Sequence, residues 1–289
     1  MSLDLVTNVA IAGVLTGLVY GLMALGLSVI FGVVRVVNFA HGEMMTAAMY
    51  AATVLFGLWG VDPFLAVLPV AAVFFALGYA LQAAVINPFI TRPEHSQFML
   101  LVAVSIILVN GLLMGFGPDA RNVQLDYQLE SWALGPLLFD KARVFAALLA
   151  LAVSAALFAF FRFTLTGKAI RACADNHLGA LVVGLRVKHL YALTFGLGAA
   201  CVAVAGCMMI LLVDVTPVLG PSYTLLAFVI VIVGGLGSMG GALLGGVLIG
   251  LSEAMAGLFI APSAKSMFSF ALLILVLLFR PQGLLGKRA

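Results

Sequence analysis

Apolar residues run through this chain in long unbroken blocks, without the alternating or 3.6-residue stripes of a soluble domain. The blocks fall at about 5–30, 44–59, 63–86, 98–117, 143–161, 190–213, 223–236, 241–260 and 266–279. Most approach the roughly 20 residues that a helix needs to cross a hydrocarbon layer about 30 Å thick. A backbone in lipid must satisfy its own hydrogen bonds, so continuous runs predict helices, whereas short alternating segments would predict a barrel. The expected fold is all-α: a polytopic transmembrane helical bundle of eight or nine segments, one domain over 1–289. The block at 223–236 is short and bounded by glycine, which reads as a broken or re-entrant helix and leaves the count open.

Composition agrees with the pattern and narrows the function. Mean hydropathy is +1.25 and only 9% of residues are charged, about a third of the usual soluble share. No stretch outside the apolar blocks is long enough to bury a core of its own. The net charge of +3 is scattered over short loops, so no nucleic-acid partner is expected. The N-terminal Met1-Ser2-Leu3-Asp4 is acidic and lacks the basic start of a secretory leader, so the first block is expected to be a span. Cys173, Cys201 and Cys207 form no metal spacing, and the last two read as small packing residues.

Orientation follows from Lys and Arg in the short loops. With 162–189 inside and nine crossings, Arg35, Arg92, Arg162, Lys168, Arg171, Arg186, Lys188, Arg280, Lys287 and Arg288 fall inside. Only Arg121, Lys141, Arg143 and Lys265 fall outside, which places the N-terminus outside and the C-terminus inside. Two loops are long. The external one, about 118–142, is acidic and is expected to form either an interfacial helix anchored by Trp132 or a docking surface. The internal one, 162–189, reads as short helices, with Thr166 as N-cap and with Gly179 and Gly184 as stops or turns. Its Ile170, Leu178, Leu181 and Val182 need a covering surface, which suggests a docked cytoplasmic partner.

Charge inside so apolar a chain is costly and marks function by default. Arg35, Asn38, His41 and Glu43 interrupt the first two blocks, where His41 and Glu43 are expected to satisfy one another or the ends of a broken helix. Sidedness puts this patch near the cytoplasmic face, as a pin or gate at the inner mouth of a pathway. Glu253, in the middle of a block, is expected to be a structural pin or gate element, and Asn110, Gln82 and Tyr20 to bond across helices. Gly13, Gly17 and Gly21, like Gly237, Gly241 and Gly245, recur every four residues and let helices approach closely. Several chemistries are set aside. Gly235-Leu236-Gly237-Ser238-Met239-Gly240 spells G-x-G-x-x-G but has no strand or soluble βαβ unit around it. His41 and Glu43 lack a third metal ligand. Ser238 lies in Gly-Ser-Met-Gly, not the Gly-x-Ser-Gly of an intramembrane protease. No Walker A sequence is present, so energy must come from a partner or a gradient.

Several stretches together resemble one family. Leu178-Gly179-Ala180, three residues and Gly184 look like an eroded form of the cytoplasmic Glu-Ala-Ala-x-x-x-Gly loop of the permeases of branched-chain amino acid ABC importers. Asn38-Phe39-Ala40-His41-Gly42-Glu43, Arg171-Ala172-Cys173-Ala174-Asp175, 234–242 and 269–283 resemble the same family's signatures. The related urea and amide permeases tend to carry Met at the place of Phe39, which tilts the resemblance towards amino acids. The resemblance implies a multi-pass inner-membrane transport subunit that is not itself an enzyme and holds no cofactor. ATP and Mg would be bound by two cytoplasmic ATPase subunits. A homologous second permease would complete the pathway, and a periplasmic binding protein would deliver a small amino acid. It also implies that Lys168, Arg171, Asp175, Leu178, Gly179, Ala180 and Gly184 couple to the ATPase. Asn38, His41, Glu43, Asn110, Ser238 and Glu253 are the candidates for pathway or gate. A urea or amide permease, or an ATP-independent channel or secondary transporter, are the alternatives.

Overall fold

A computed structural model describes residues 3–90 and 92–286. Its main helices follow the apolar blocks: α1 (Leu3–Val34), α2 (His41–Trp59), α3 (Pro63–Ala80), α4 (Glu94–Phe116), a hairpin of β1 (Ser131–Leu134) and β2 (Leu137–Asp140), then α5 (Lys141–Phe163). Two short helices follow, α6 (Leu165–Asp175) and α7 (His177–Val182). The chain then continues through α8 (Val187–Met209), α9 (Gly220–Gly234), α10 (Met239–Phe259) and α11 (Lys265–Phe279). Among the described residues seven helices are long and apolar enough to cross a membrane; α2 is not one of them, and Lys265–Phe279 is shorter.

Both faces of the bundle can be traced through contacts. Asn8 near the start of α1 accepts from Leu138 N and donates to Pro136 O, so the N-terminus and the hairpin share a face. Tyr127 before the hairpin donates to Asp62 at the start of α3, and Arg121 pairs with Val215 after α8. Burial and the neighbouring Asp62 carboxylate push the Tyr127 phenol above its usual range. The opposite face carries Arg35, Arg92, Arg162, Lys168, Arg171, Arg186, Lys188 and Arg280, as the charge count requires. Lys287 and Arg288 lie outside the described residues.

The external loop corrects one expectation. It forms no interfacial helix: a 3-10 turn, Asp126–Gln128, precedes the two-stranded hairpin, which turns at Gly135-Pro136 with Gly135 at φ +64°. Trp132 lies on β1 with the Lys141 ammonium 5.6 Å from its ring, and Lys141 also pairs with Glu130.

α1 and α8 are the two most buried of the spanning helices and touch along their length. α10 lies on α1, and α3 lies on α8. Missing side chains make the first contact possible: a Cβ on Gly13 would stand 2.6 Å from Ala254 Cβ, and one on Gly17 would stand 2.7 Å from Gly246 O. Backbones this close exchange dispersion along their whole length, the main attraction available between helices in lipid. α1 runs inward, α2 outward, α3 inward and α4 outward. α8 to α11 repeat the set with every direction reversed.

Candidate functional site

The ionisable patch sits at a break between α1 and α2. α1 ends at Val34; Arg35, exposed, takes a left-handed φ of 57° and turns the chain back. Residues 36–40 then climb back into the bundle, where Val36, Asn38 and Ala40 are buried. Asn38 Oδ1 accepts from Ala40 N at 3.1 Å, closing the turn that starts α2. Three contacts give the depth of this start. His41 Nε2 donates to Met23 O at 2.9 Å, eleven residues before Val34. Glu43 Oε1 accepts from Ser105 Oγ at 2.6 Å, eleven residues into α4. Glu43 Oε2 accepts from Thr224 Oγ1 at 2.9 Å, ten residues before the end of α9. At a rise of about 1.5 Å per residue, all three place the patch roughly 15–17 Å from the cytoplasmic helix ends. That is near the middle of a hydrocarbon layer about 30 Å thick, so the expected position near the inner face is corrected.

The helix break provides what the carboxylate needs. α2 has no side-chain cap of its own on Ala40; instead Gly42 N donates to Thr224 Oγ1 at 2.9 Å. α9 starts beside it, so two helix N-termini meet inside the membrane, each with amide hydrogens unused by its own helix. Their positive ends favour a carboxylate between them. The junction is tight: a Cβ on Gly42 would overlap Gly220 O and Thr224, and one on Gly220 would stand 2.8–3.0 Å from Glu43. His41 and Glu43 therefore do not satisfy one another. They point to different neighbours, His41 to α1 and Glu43 to α4 and α9, because residues two apart on α2 lie on opposite sides of the helix. A carbonyl can only accept, so His41 carries its proton on Nε2; its Nδ1 has no partner among the described residues. No group of three metal-ligating side chains occurs among the described residues.

A second constellation lies on the cytoplasmic face. Thr164, not Thr166, caps α6: its Oγ1 accepts from Gly167 N at 3.0 Å. Asn176 Oδ1 caps α7 through Gly179 N at 2.8 Å, so Gly179 lies within a helix and stops none. Gly184, at φ +82°, ends α7 as expected. Ile170, Cys173 and Ala180 are buried and fix the two short helices to the bundle, and burial pushes the Cys173 thiol up, as suits a packing residue. Leu178 and Val182 on α7 and Val183 just after it stand 73%, 87% and 74% exposed beyond the membrane face. Lys168, Arg171 and Asp175 line a cavity of about 910 Å³ with Arg35 and Ser238. Ser238 itself caps α10 through Gly241 N, and the glycine-rich stretch is the α9–α10 connection, 235–238, with its two helix ends and a helix before it.

Three of the buried or intramembrane polar residues stand apart from both constellations. Asn110 is exposed and bonds to Ile106 O in its own helix, so it makes no bond across helices. Gln82 bonds to Asn87 across a π-helical turn (Leu81–Ile86) that continues α3. Glu253 accepts from Ser269 Oγ at 2.8 Å, which pins α10 to α11. Thr224 and Ser105, the partners of Glu43, escaped the sequence reading. Only Gly220-Pro221, a helix-start signal, pointed at the first, and nothing pointed at a lone serine in an apolar helix.

Residues 9–277 match the family model described as "Branched-chain amino acid transport system / permease component". The chain belongs to this family. It is 30% identical to the high-affinity branched-chain amino acid transport system permease protein LivH of Escherichia coli K12, over 95% of this chain and 94% of that one. It is 29% identical to the corresponding protein BraD of Pseudomonas aeruginosa over the same shares. A probable branched-chain amino acid transport permease LivH of Methanocaldococcus jannaschii is 27% identical over 92% and 88%. Family membership, with seven helices among the described residues long and apolar enough to span, makes this a multi-pass membrane transport permease subunit.

Proposed function

We propose that this chain is the permease subunit of an ATP-driven importer that carries branched-chain amino acids across the inner membrane. A second, homologous permease completes the pathway, two cytoplasmic ATPase subunits bind ATP and Mg, and a periplasmic binding protein delivers substrate to the hairpin face. The observation that carries this reading is α7: a rigid, capped helix on the cytoplasmic face that presents Leu178, Val182 and Val183 to no surface of its own chain. Exposed apolar patches of this kind mark protein contacts. Movement of an ATPase against α6–α7 reaches the bundle directly, because Ile170 and Ala180 are buried in it. The test is uptake of labelled leucine into proteoliposomes holding the assembled complex. Leu178→Asp with Val182→Asp should abolish ATPase capture and ATP-dependent uptake while the permease stays monodisperse. Uptake at wild-type rate in that variant, or uptake driven by an ion gradient without ATP, would overturn the assignment.

A further inference from the structure

Between α1, α5 and α10, in the outer half of the bundle, lies a second cavity of about 380 Å³, at the small end of the range for ligand pockets. Its wall combines groups that are costly to keep in lipid: Glu253 from α10, Tyr20 from α1, Arg143 from α5 and Lys265 from the start of α11. Neither cation forms an ion pair with Glu253 within 4 Å among the described residues; Arg143 instead stands 3.7 Å from Asp140 at the outer surface. Apart from Thr16 the remaining wall is apolar or backbone, and it closes where α1 and α10 touch at Gly13 and Gly250. Glu253 lies six residues, about 9 Å, inward of the outer end of α10, whereas Arg143 and Lys265 sit at the outer ends of their helices. A carboxylate inside, two cations at the mouth and an apolar side wall are complementary to one small molecule carrying both charges and a hydrocarbon tail.

We propose that this cavity is a transit subsite for a zwitterionic aliphatic amino acid, with the ammonium at Glu253 and Tyr20 and the carboxylate at Arg143 and Lys265. The assignment rests on the importer reading above and adds a place within the permease where substrate pauses. Only a zwitterion satisfies both poles: a bare carboxylate would meet Glu253, and a bare amine would meet two cations. Binding is expected to be weak, because a tight site would hold the substrate in transit. Ser269 keeps one oxygen of Glu253 in place, so the same side chain both pins α10 to α11 and faces the cavity.

The test uses the permease–ATPase complex in lipid nanodiscs without binding protein, with L-leucine binding followed by saturation-transfer NMR. Leucine should bind at millimolar concentration and compete at least tenfold better than 4-methylpentanoate, which lacks the ammonium, or 3-methylbutylamine, which lacks the carboxylate. Glu253→Gln keeps an acceptor for Ser269; it should weaken leucine at least tenfold and strengthen 4-methylpentanoate, which no longer meets a carboxylate. Arg143→Gln with Lys265→Gln should weaken leucine and strengthen the amine, which no longer meets two cations. Absence of leucine binding to the intact complex, or equal affinity in all variants, would overturn the subsite. ATP-driven, binding-protein-dependent uptake by the same wild-type preparation keeps the two readings apart: if it persists while the subsite fails, only the subsite is wrong.

Discussion

Thr224 holds the mid-membrane junction together, and replacing it with valine measures what that junction is worth. The hydroxyl accepts from Gly42 N at 2.9 Å and donates to Glu43 Oε2 at 2.9 Å. Valine keeps the shape and removes both bonds. A hydrogen bond to a charged group is worth about 1.5–3 kcal/mol, and a buried donor left unpaired costs about 1–3 kcal/mol. Side-chain bonds between membrane helices average only about 0.6 kcal/mol, because the unfolded chain in lipid finds other partners. Two such average bonds would give roughly 1.2 kcal/mol. The junction should exceed that, since Gly42 N is walled in by Gly220 and Thr224 and has no room for a substitute or a water. We expect about 3 kcal/mol, roughly 150-fold in the unfolding equilibrium. The assay is SDS titration of the permease in mixed micelles followed by the fluorescence of Trp59 and Trp132. Thr224→Ser, which retains the hydroxyl, should lose under about 1 kcal/mol by its missing methyl. A double cycle with Glu43→Gln isolates the carboxylate's part. If Thr224→Val falls within about 0.6 kcal/mol of wild type, the hydroxyl does not cap α2 and the depth argument loses its energetic basis.

Two further outcomes follow from backbone geometry. Gly246→Leu puts a side chain into the backbone of Gly21 and Gly17, and should leave little folded protein by size-exclusion chromatography, whereas Gly111→Ala, with open space around it, should be tolerated. Gly184→Ala meets no atom within 4 Å but forces a left-handed φ of +82° on alanine, a cost of about 1 kcal/mol, so the chain should fold normally while ATPase capture weakens roughly fivefold.

Hydrophobic length made the bundle legible, because each apolar block had to become a helix wherever it sat. The short helices of the cytoplasmic loop were legible for a different reason: Gly184 and the helix formers from Lys168 to Leu178 mark them, and Leu178 and Val182 stand exposed beyond the membrane. The cap of α6 was misplaced by two residues, from Thr164 to Thr166, because both threonines precede a plausible helix and only the Gly167 contact decides between them. The depth of Glu43 was not legible at all. Sidedness fixes Arg35, but whether residues 36–40 stay at the surface or climb inward depends on partners on α4 and α9. Those partners are 62 and 181 residues away along the chain. The pairing expected from proximity, His41 with Glu43, failed because residues two apart on a helix face different ways.

The reversed repeat explains why the break sits where it does. If α1–α4 and α8–α11 are related by a pseudo-two-fold axis in the membrane plane, residues near that axis must meet their own counterparts. Two glycine pairs do so: a Cβ on Gly26 would stand 2.6 Å from Gly198 O and one on Gly198 2.8 Å from Gly26 O, while Gly42 and Gly220 confront each other across the helix starts. The first pair lets the central helices α1 and α8 cross; the second lets α2 and α9 begin at the same depth from opposite directions. Broken helices with facing N-termini are the form in which membrane transporters place irregular backbone inside lipid, since it is tolerated only where protein covers it. Here α4 is the cover. It lies over the break through Ser105 and through Phe98, whose ring meets Phe39 at 4.6 Å, yet it is the least buried of the spanning helices. α4 is held there by the serine–carboxylate bond, the Phe98 edge, the buried Leu101 and, at its outer end, the Tyr50–Phe116 stack at 4.5 Å, and it is α4 that shields Glu43. The side chain that joins the two helix starts at mid-membrane is thus also the one that ties in the least buried of the spanning helices.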